Sequence, residues 1–257
     1  MTSEAIPVLP CDDVTSVEQA VAQLTAISAA LAPGDGVAAF NTMYLAVTEA
    51  VSQDIAATDF GDPAFMSRLD VVFVNHYFAA LRAAQSGGAV PRCWDVLWSR
   101  RADTRVVPLQ FALAGMNAHI NHDLPLAVVE TLQELGGSPH DAARHADFTR
   151  VNAVLDRLEP QIRLSVEGDS VLASAPGFGR LTDRLGDWTI SNARAAAWRD
   201  AEVLWPVRDI GPLRAMCERA LDAATAAAGL CLLVPVDLDA AHDHHVCAGA
   251  APTLASG

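Results

Sequence analysis

The stretch Val106-Val-Pro-Leu-Gln-Phe-Ala-Leu-Ala-Gly-Met116, continued by Asn117-Ala-His119-Ile-Asn-His122-Asp123-Leu-Pro125, decides how this chain is read. Its first half is almost wholly apolar, so the polar side chains that follow are carried into or beside a core. Two imidazoles and a carboxylate fall within five residues, with an amide on each side. On a helix His119 and Asp123 are i,i+4 neighbours, and His119 and His122 are i,i+3 neighbours. Either pair can converge on one ion or one substrate atom. Pro125 follows directly, where it either kinks one helix or separates two.

Working outward, the same helical spacing recurs. Val14, Val17, Ala20, Val21, Leu24, Ile27 and Leu31 form one stripe, with Asp12, Asp13 or Thr15 available as a cap. Pro33-Gly34-Asp35-Gly36 ends that helix, and a second runs from near Gly36 to about Thr58. Asp62-Pro63 reads as a start with proline in the first turn, and Gly87-Gly88 as the stop. Short helical spacing covers 91–104, another helix runs to about Leu135, and Gly136-Gly137-Ser138-Pro139 is a loop. Helices are expected over 141–164, with Pro160 a kink point, over 180–205 and over 209–229. Gly168 to Gly179 is the lid or loop candidate, and Leu230 to Val234 is the one β-like run. The expectation is an all-α, single-domain multi-helix bundle of eight to ten helices. It divides into an N-terminal arm over 1–13, a helical domain over 14–235 and a disordered tail over 236–257.

Composition excludes several function classes. The chain has 257 residues, 31 acids and 17 bases, for a formal charge of −14, and every base is arginine. Without lysine there is no Schiff-base chemistry, no pyridoxal-phosphate anchor and no P-loop. The negative charge opposes nucleic acid and anionic membranes as partners. No apolar run reaches the roughly 18–20 residues of a membrane span, and Met1 to Pro10 lacks the pattern of a secretory signal, so a cytoplasmic protein is expected. Five widely spaced cysteines without a C-x-x-C pair argue against a disulfide framework or an iron–sulfur cluster, and Cys93, Cys217 and Cys231 read as core residues. There is no G-x-S-x-G elbow and no G-x-G-x-x-G fingerprint, so no nucleotide cofactor is expected. The sequence leaves the oligomeric state open.

Phe40-Asn41-x-x-Tyr44, Arg68-Leu-Asp70-Val-Val-Phe73, the block Pro108 to Asn121, and Trp188 through Trp205 together resemble a bacterial family, frequent in actinomycetes, known only as a domain of unknown function. The resemblance covers about residues 14–230 and is tightest over 108–125. It implies a helical protein and brings no activity, cofactor or catalytic assignment. His122-Asp123 is also similar to the dipeptide of HD-type metal phosphohydrolases. The order carboxylate, His, His-x-x-x-Asp is similar in outline to helical zinc-dependent phospholipases and nucleases, whose second His-x-x-x-Asp and N-terminal ligand are missing here.

The candidate site is built around His119 and Asp123. Asp70 and His76, on the earlier apolar helix, could join His119, His122 and Asp123 as ligands from a facing helix, a donor set suited to Zn²⁺, Fe²⁺ or Mn²⁺. Without metal, His119 oriented by Asp123 would be an acid–base pair, with Tyr44 as a further hydrogen-bond donor or acid. Asn41 and Asn117 are further candidates for binding a substrate. Trp188, Arg194 and Trp198 suggest an aromatic stripe with an embedded arginine, able to line a pocket for a flat or anionic small molecule. A plainer reading sets Asn117, His119, Asn121 and Asp123 in a hydrogen-bond network bracing Pro125, with Asp123 capping the next helix. Asp237 to His245 resembles a local metal cluster, but in a tail.

Overall fold

The computed structural model describes residues 7–57, 60–167 and 189–235, with the side chains of 54–57 and 158–167 left aside. Nine α-helices are described: α1 Val17–Ala30, α2 Gly36–Ala57, α3 Pro63–Ser86, α4 Arg92–Trp98, α5 Pro108–Ala118, α6 Leu124–Leu135, α7 Ala142–Glu167, α8 Ile190–Leu204 and α9 Gly211–Leu232. A π-helical turn, His119–Asp123, joins α5 to α6 without a break, and a 3₁₀ turn, Trp205–Val207, follows α8.

The boundaries follow local chemistry. The Ser16 side chain accepts from the Gln19 amide at the start of α1, and Asp62 accepts from the Phe65 amide at the start of α3, where Pro63 gives up no donor. Gly87 ends α3 in a left-handed conformation (φ 68°) that a side chain would disfavour. α7 is helical on both sides of Pro160. The β-like run is a correction: Leu230 to Leu232 close α9 as helix and Leu233–Val234 turn away, so no strand forms among the described residues. Its apolar residues serve a helix end, where Leu233 is fully buried.

The rod made by α5, the π turn and α6 is the axis of the fold. Every residue from Gln110 to Val129 is buried except Asn121. α2, α4 and α9 lie against α5, while α3 and α8 lie against α6. A helix surrounded on all sides has no need of a polar face, which is why the 106–116 run carries none. Contact between α5 and α2 is close: a Cβ on Gly115 would collide with the edge of the Phe40 ring. Polar side chains then fasten the region where the rod begins. Gln110 donates to the carbonyls of Leu232 (2.6 Å) and Val234 (2.7 Å), closing the C-terminal end of α9. Arg101 pairs with Asp35 at 2.6 Å in a largely buried bridge. Residues 7–13 are not loose: Leu9 and Cys11 are buried, and the Leu9 amide donates to Gln85 on α3.

Candidate functional site

The π turn arises where Pro125 enters the rod. Proline has no amide to donate and its ring collides with the carbonyl four residues back, which a widened turn accommodates. The amide of Leu124 accordingly reaches back five residues to the carbonyl of His119. Such turns are enriched at functional sites because they re-aim side chains inside an otherwise regular helix. Here the wide turn sets His119 and His122 on either side of one carboxylate.

Asp123 is the hub. Its Oδ2 takes His119 Nδ1 at 3.0 Å and the Trp94 indole Nε1 at 3.0 Å, while its Oδ1 takes His122 Nδ1 at 2.7 Å. Burial alone would raise the Asp123 carboxyl, but the hydrogen bonds from the two imidazoles outweigh it and hold the group well below the usual carboxylate range. An ionised Asp123 only accepts, so each imidazole donates through Nδ1 and has Nε2 left over. The carboxylate does not cap α6. It orients two histidines.

The Nε2 atoms have different surroundings. His119 Nε2 is buried and has no hydrogen-bond partner. Its ring stacks on Phe73 (centroids 3.5 Å apart, planes 7° apart) and meets Tyr44 edge-on at 4.4 Å. Burial pushes the His119 imidazolium down further than Asp123 pushes it up, so the ring is neutral near pH 7. It borders a cavity of about 80 Å³ between α2, α3, α7, α8 and the rod. That is room for several waters or a small organic group. The walls are mostly apolar, and the polar groups that border it with His119 are Tyr44, Thr48, Asp70 and Arg194. The Tyr44 hydroxyl also lacks a partner, and burial, then the Asp70 charge, keep it protonated. Burial raises the Asp70 carboxyl to about 6 despite the Arg194 charge. Burial likewise lowers Arg194 to about 10 against the pull of Asp70.

Arg194 is held by Asn152 Oδ1 and the Phe148 carbonyl, both at 2.8 Å, and lies 4.2 Å over the Phe148 ring. No carboxylate comes within ion-pair distance of it among the described residues. An apolar cavity edged by a guanidinium, a carboxyl, a phenol and a free imidazole nitrogen suits a small ligand with one polar or anionic end.

The structure brings Tyr44, Asp70, His119 and Arg194 to this cavity, joins Asp123 to His119 and His122, and keeps the remaining candidates apart. His76 bonds Glu130 on α6 at 3.1 Å. Asn41 is spent tying α2 to α1 and α3, through the Leu24 carbonyl, Ser28 and the Tyr77 hydroxyl. Asn117 donates to the Thr225 carbonyl on α9 and accepts from Asn121. Trp198 is buried against Phe148, His145 and Phe65 and donates to the Pro139 carbonyl, so it packs the core and does not border the cavity. Trp188, the lid over 168–179 and the Asp237 to His245 cluster lie outside the described residues.

Two groups that the sequence reading passed over stand beside His122. Among the described residues, one trio of metal-type donors has its ligand atoms within 4.8 Å of one another: Cys93, His122 and Asp222. These positions are 29 and 100 residues from His122 in the chain, with no spacing motif to join them. Trp94, the third donor to Asp123, was hidden for the same reason.

No curated protein and no solved structure matches the chain. A family model matches residues 17–235, and by it the chain belongs to a family of unknown function, DUF5995.

Proposed function

We propose that this protein is a small-molecule enzyme in which His119, oriented by Asp123, moves a proton to or from a ligand held in the interhelical cavity. One observation carries the reading: a buried, neutral imidazole with Nδ1 fixed on a carboxylate and Nε2 left unpaired beside a cavity. A buried polar atom without a partner costs about 1–3 kcal/mol, and a site that receives a proton is one reason to keep it. Asp123 supplies tautomer and orientation, and Phe73 and Tyr44 hold the ring plane. Arg194 and Asp70 would take the polar end of the ligand, and Tyr44 would donate to a developing oxyanion. The chemistry this supports is proton abstraction beside a carbonyl, with isomerisation, elimination or cyclisation as the outcome. An ion shared by Asp70, His76, His119, His122 and Asp123 has less support, because their donor atoms do not converge on one point.

Two measurements test this. Nitrogen NMR of ¹⁵N-histidine protein should find His119 neutral and protonated at Nδ1 across neutral pH. A charged ring, or a proton on Nε2, would remove the base. Incubation in deuterium oxide with a panel of small ketones, 2-oxo acids and thioesters should show solvent deuterium entering at least one of them. His119→Ala should lower that exchange by about 10²–10⁴-fold in a folded protein. Exchange unchanged in the variant would end the catalytic reading. Saturable binding without exchange would move it to a ligand-binding protein.

A further inference from the structure

We propose that Cys93, His122 and Asp222 form a binding site for a divalent transition metal of the zinc type, separate from the His119 cavity and supported by the opposite side of Asp123. Three helical pieces distant in sequence supply the donors: α4, the π turn and α9. Their ligand atoms already lie within 4.8 Å of one another. Four-coordinate zinc, with bonds of about 2.0–2.3 Å, sets its donors about 3.5 Å apart, so closure asks for shifts of about 1 Å.

Each donor is prepared for the ion. His122 uses Nδ1 on Asp123, and its Nε2 makes no hydrogen bond among the described residues. That is the carboxylate–histidine arrangement that fixes the tautomer and raises the basicity of a metal-binding imidazole. Asp222 is held by the backbone amides of Arg92 (3.1 Å) and Cys93 (2.9 Å), one to each oxygen, leaving a lone pair on both. Cys93 is fully buried, with its sulfur among the three ligand atoms that face one another.

Thiolate, carboxylate and neutral imidazole sum to −2, which a divalent ion balances as it displaces the thiol proton. Mixed sulfur, nitrogen and oxygen donors favour Zn²⁺ over Mg²⁺ or Ca²⁺, which prefer oxygen alone. Three protein donors leave the fourth position for water or substrate, the pattern of a working zinc rather than a closed structural one. Cys93 and Asp222 belong to no motif, and only the fold joins them to His122. The same groups also admit a metal-free account, with Asp222 capping α4 and accepting the Cys93 proton, and the experiment separates the two.

Full-length protein carrying Cys247→Ser, which removes the one tail thiol near His242, His244 and His245, is titrated with Co²⁺ alone. A sulfur-to-cobalt charge-transfer band should appear, saturate at one equivalent and vanish when Zn²⁺ is added. Tail histidines cannot produce that band. It should be abolished by Cys93→Ser and weakened at least tenfold in affinity by His122→Gln and by Asp222→Asn. Circular dichroism of the metal-free variants establishes that they fold, and Asp222→Asn decides if Cys93→Ser does not. Absence of the band in the Cys247→Ser protein, or its survival in folded Cys93→Ser, overturns the proposal. Survival of the band undiminished in Asp222→Asn overturns the three-donor site as well. None of these results depends on His119.

Discussion

Asp70 is the residue whose environment is most open to direct measurement. Its carboxyl titrates near 3.9 in an unfolded chain and at about 6 beside the cavity, because burial outweighs the Arg194 charge. The folded state therefore holds the Asp70 proton more tightly. The stability tied to that proton is fully present below about pH 4 and is lost as pH rises through about 6. Asp70→Asn keeps the neutral form at every pH. Urea denaturation should find it equal to the parent at acid pH and more stable above pH 7 by on the order of 2 kcal/mol. A gap that does not change with pH would mean that burial leaves the Asp70 carboxyl unshifted, and one of opposite sign would mean that it is ion-paired. At this scale the sequence showed some of the residues that meet around Asp123 but not their partners. His119 and Asp123 were legible from their spacing. Cys93, Asp222 and Trp94 were not, because contacts between helices far apart in the chain leave no local pattern.

The rod imposes its demands on whole helices. α5 approaches α2 at Gly115, where Phe40 occupies the place of a side chain. Gly115→Ala has to push Phe40 or the two backbones apart, and overpacking of this kind costs about 1–3 kcal/mol. Since Phe40 touches the His119, Tyr44, Tyr77 and Trp94 rings, the variant should also shift the aromatic proton resonances of all four. Denaturation together with those spectra checks it, and an unchanged midpoint would mean that the contact is looser than described. Element type was easy to read here, since Pro33-Gly34 and Gly136-Gly137 fall between the helices observed and Asp62-Pro63 starts one. The π turn was harder. Pro125 announced a disturbance, but kink, break and widened turn share one sequence signal, and neighbouring helices select among them. Leu230 to Val234 misled for a related reason: apolar side chains at a helix terminus look like a short strand until packing is known.

Across the molecule, a few buried polar side chains tie together helices and loops that lie far apart in the chain. Asp147 on α7 is buried and accepts from the amides of Gly61 (3.1 Å) and Asp62 (2.7 Å), so it fastens α7 to the entry of α3. Asp147→Ala leaves two amides without their acceptor and should cost about 2–4 kcal/mol. Hydrogen exchange should then quicken at Gly61 and Asp62 ahead of the rod. Uniform quickening would instead mean that the whole molecule opens as one unit. α7 and α3 both border the cavity, so such fasteners set its width as well as the fold's stability. The expected all-helical architecture was legible because the outer segments repeat their apolar residues at helical spacing. Which face of each outer helix meets it was not, since residues such as Asn41, Asn117 and Trp198 look equally suited to a pocket or to a joint.

The π turn has one more implication, which concerns insertion and deletion. A helix of this kind carries one residue more than its length requires, as though an extra letter had been slipped into a regular rod. Asn121 is the one position between Gln110 and Val129 that escapes burial, and so the cheapest letter to remove. Taking it out, together with Pro125→Ala, should let α5 and α6 fuse into an ordinary helix while α6 keeps its outward and inward faces. The shortened chain should fold, lose the alignment of two imidazoles on one carboxylate, and melt no lower than its parent. In this protein the scaffold and the site would then differ by a single surplus residue.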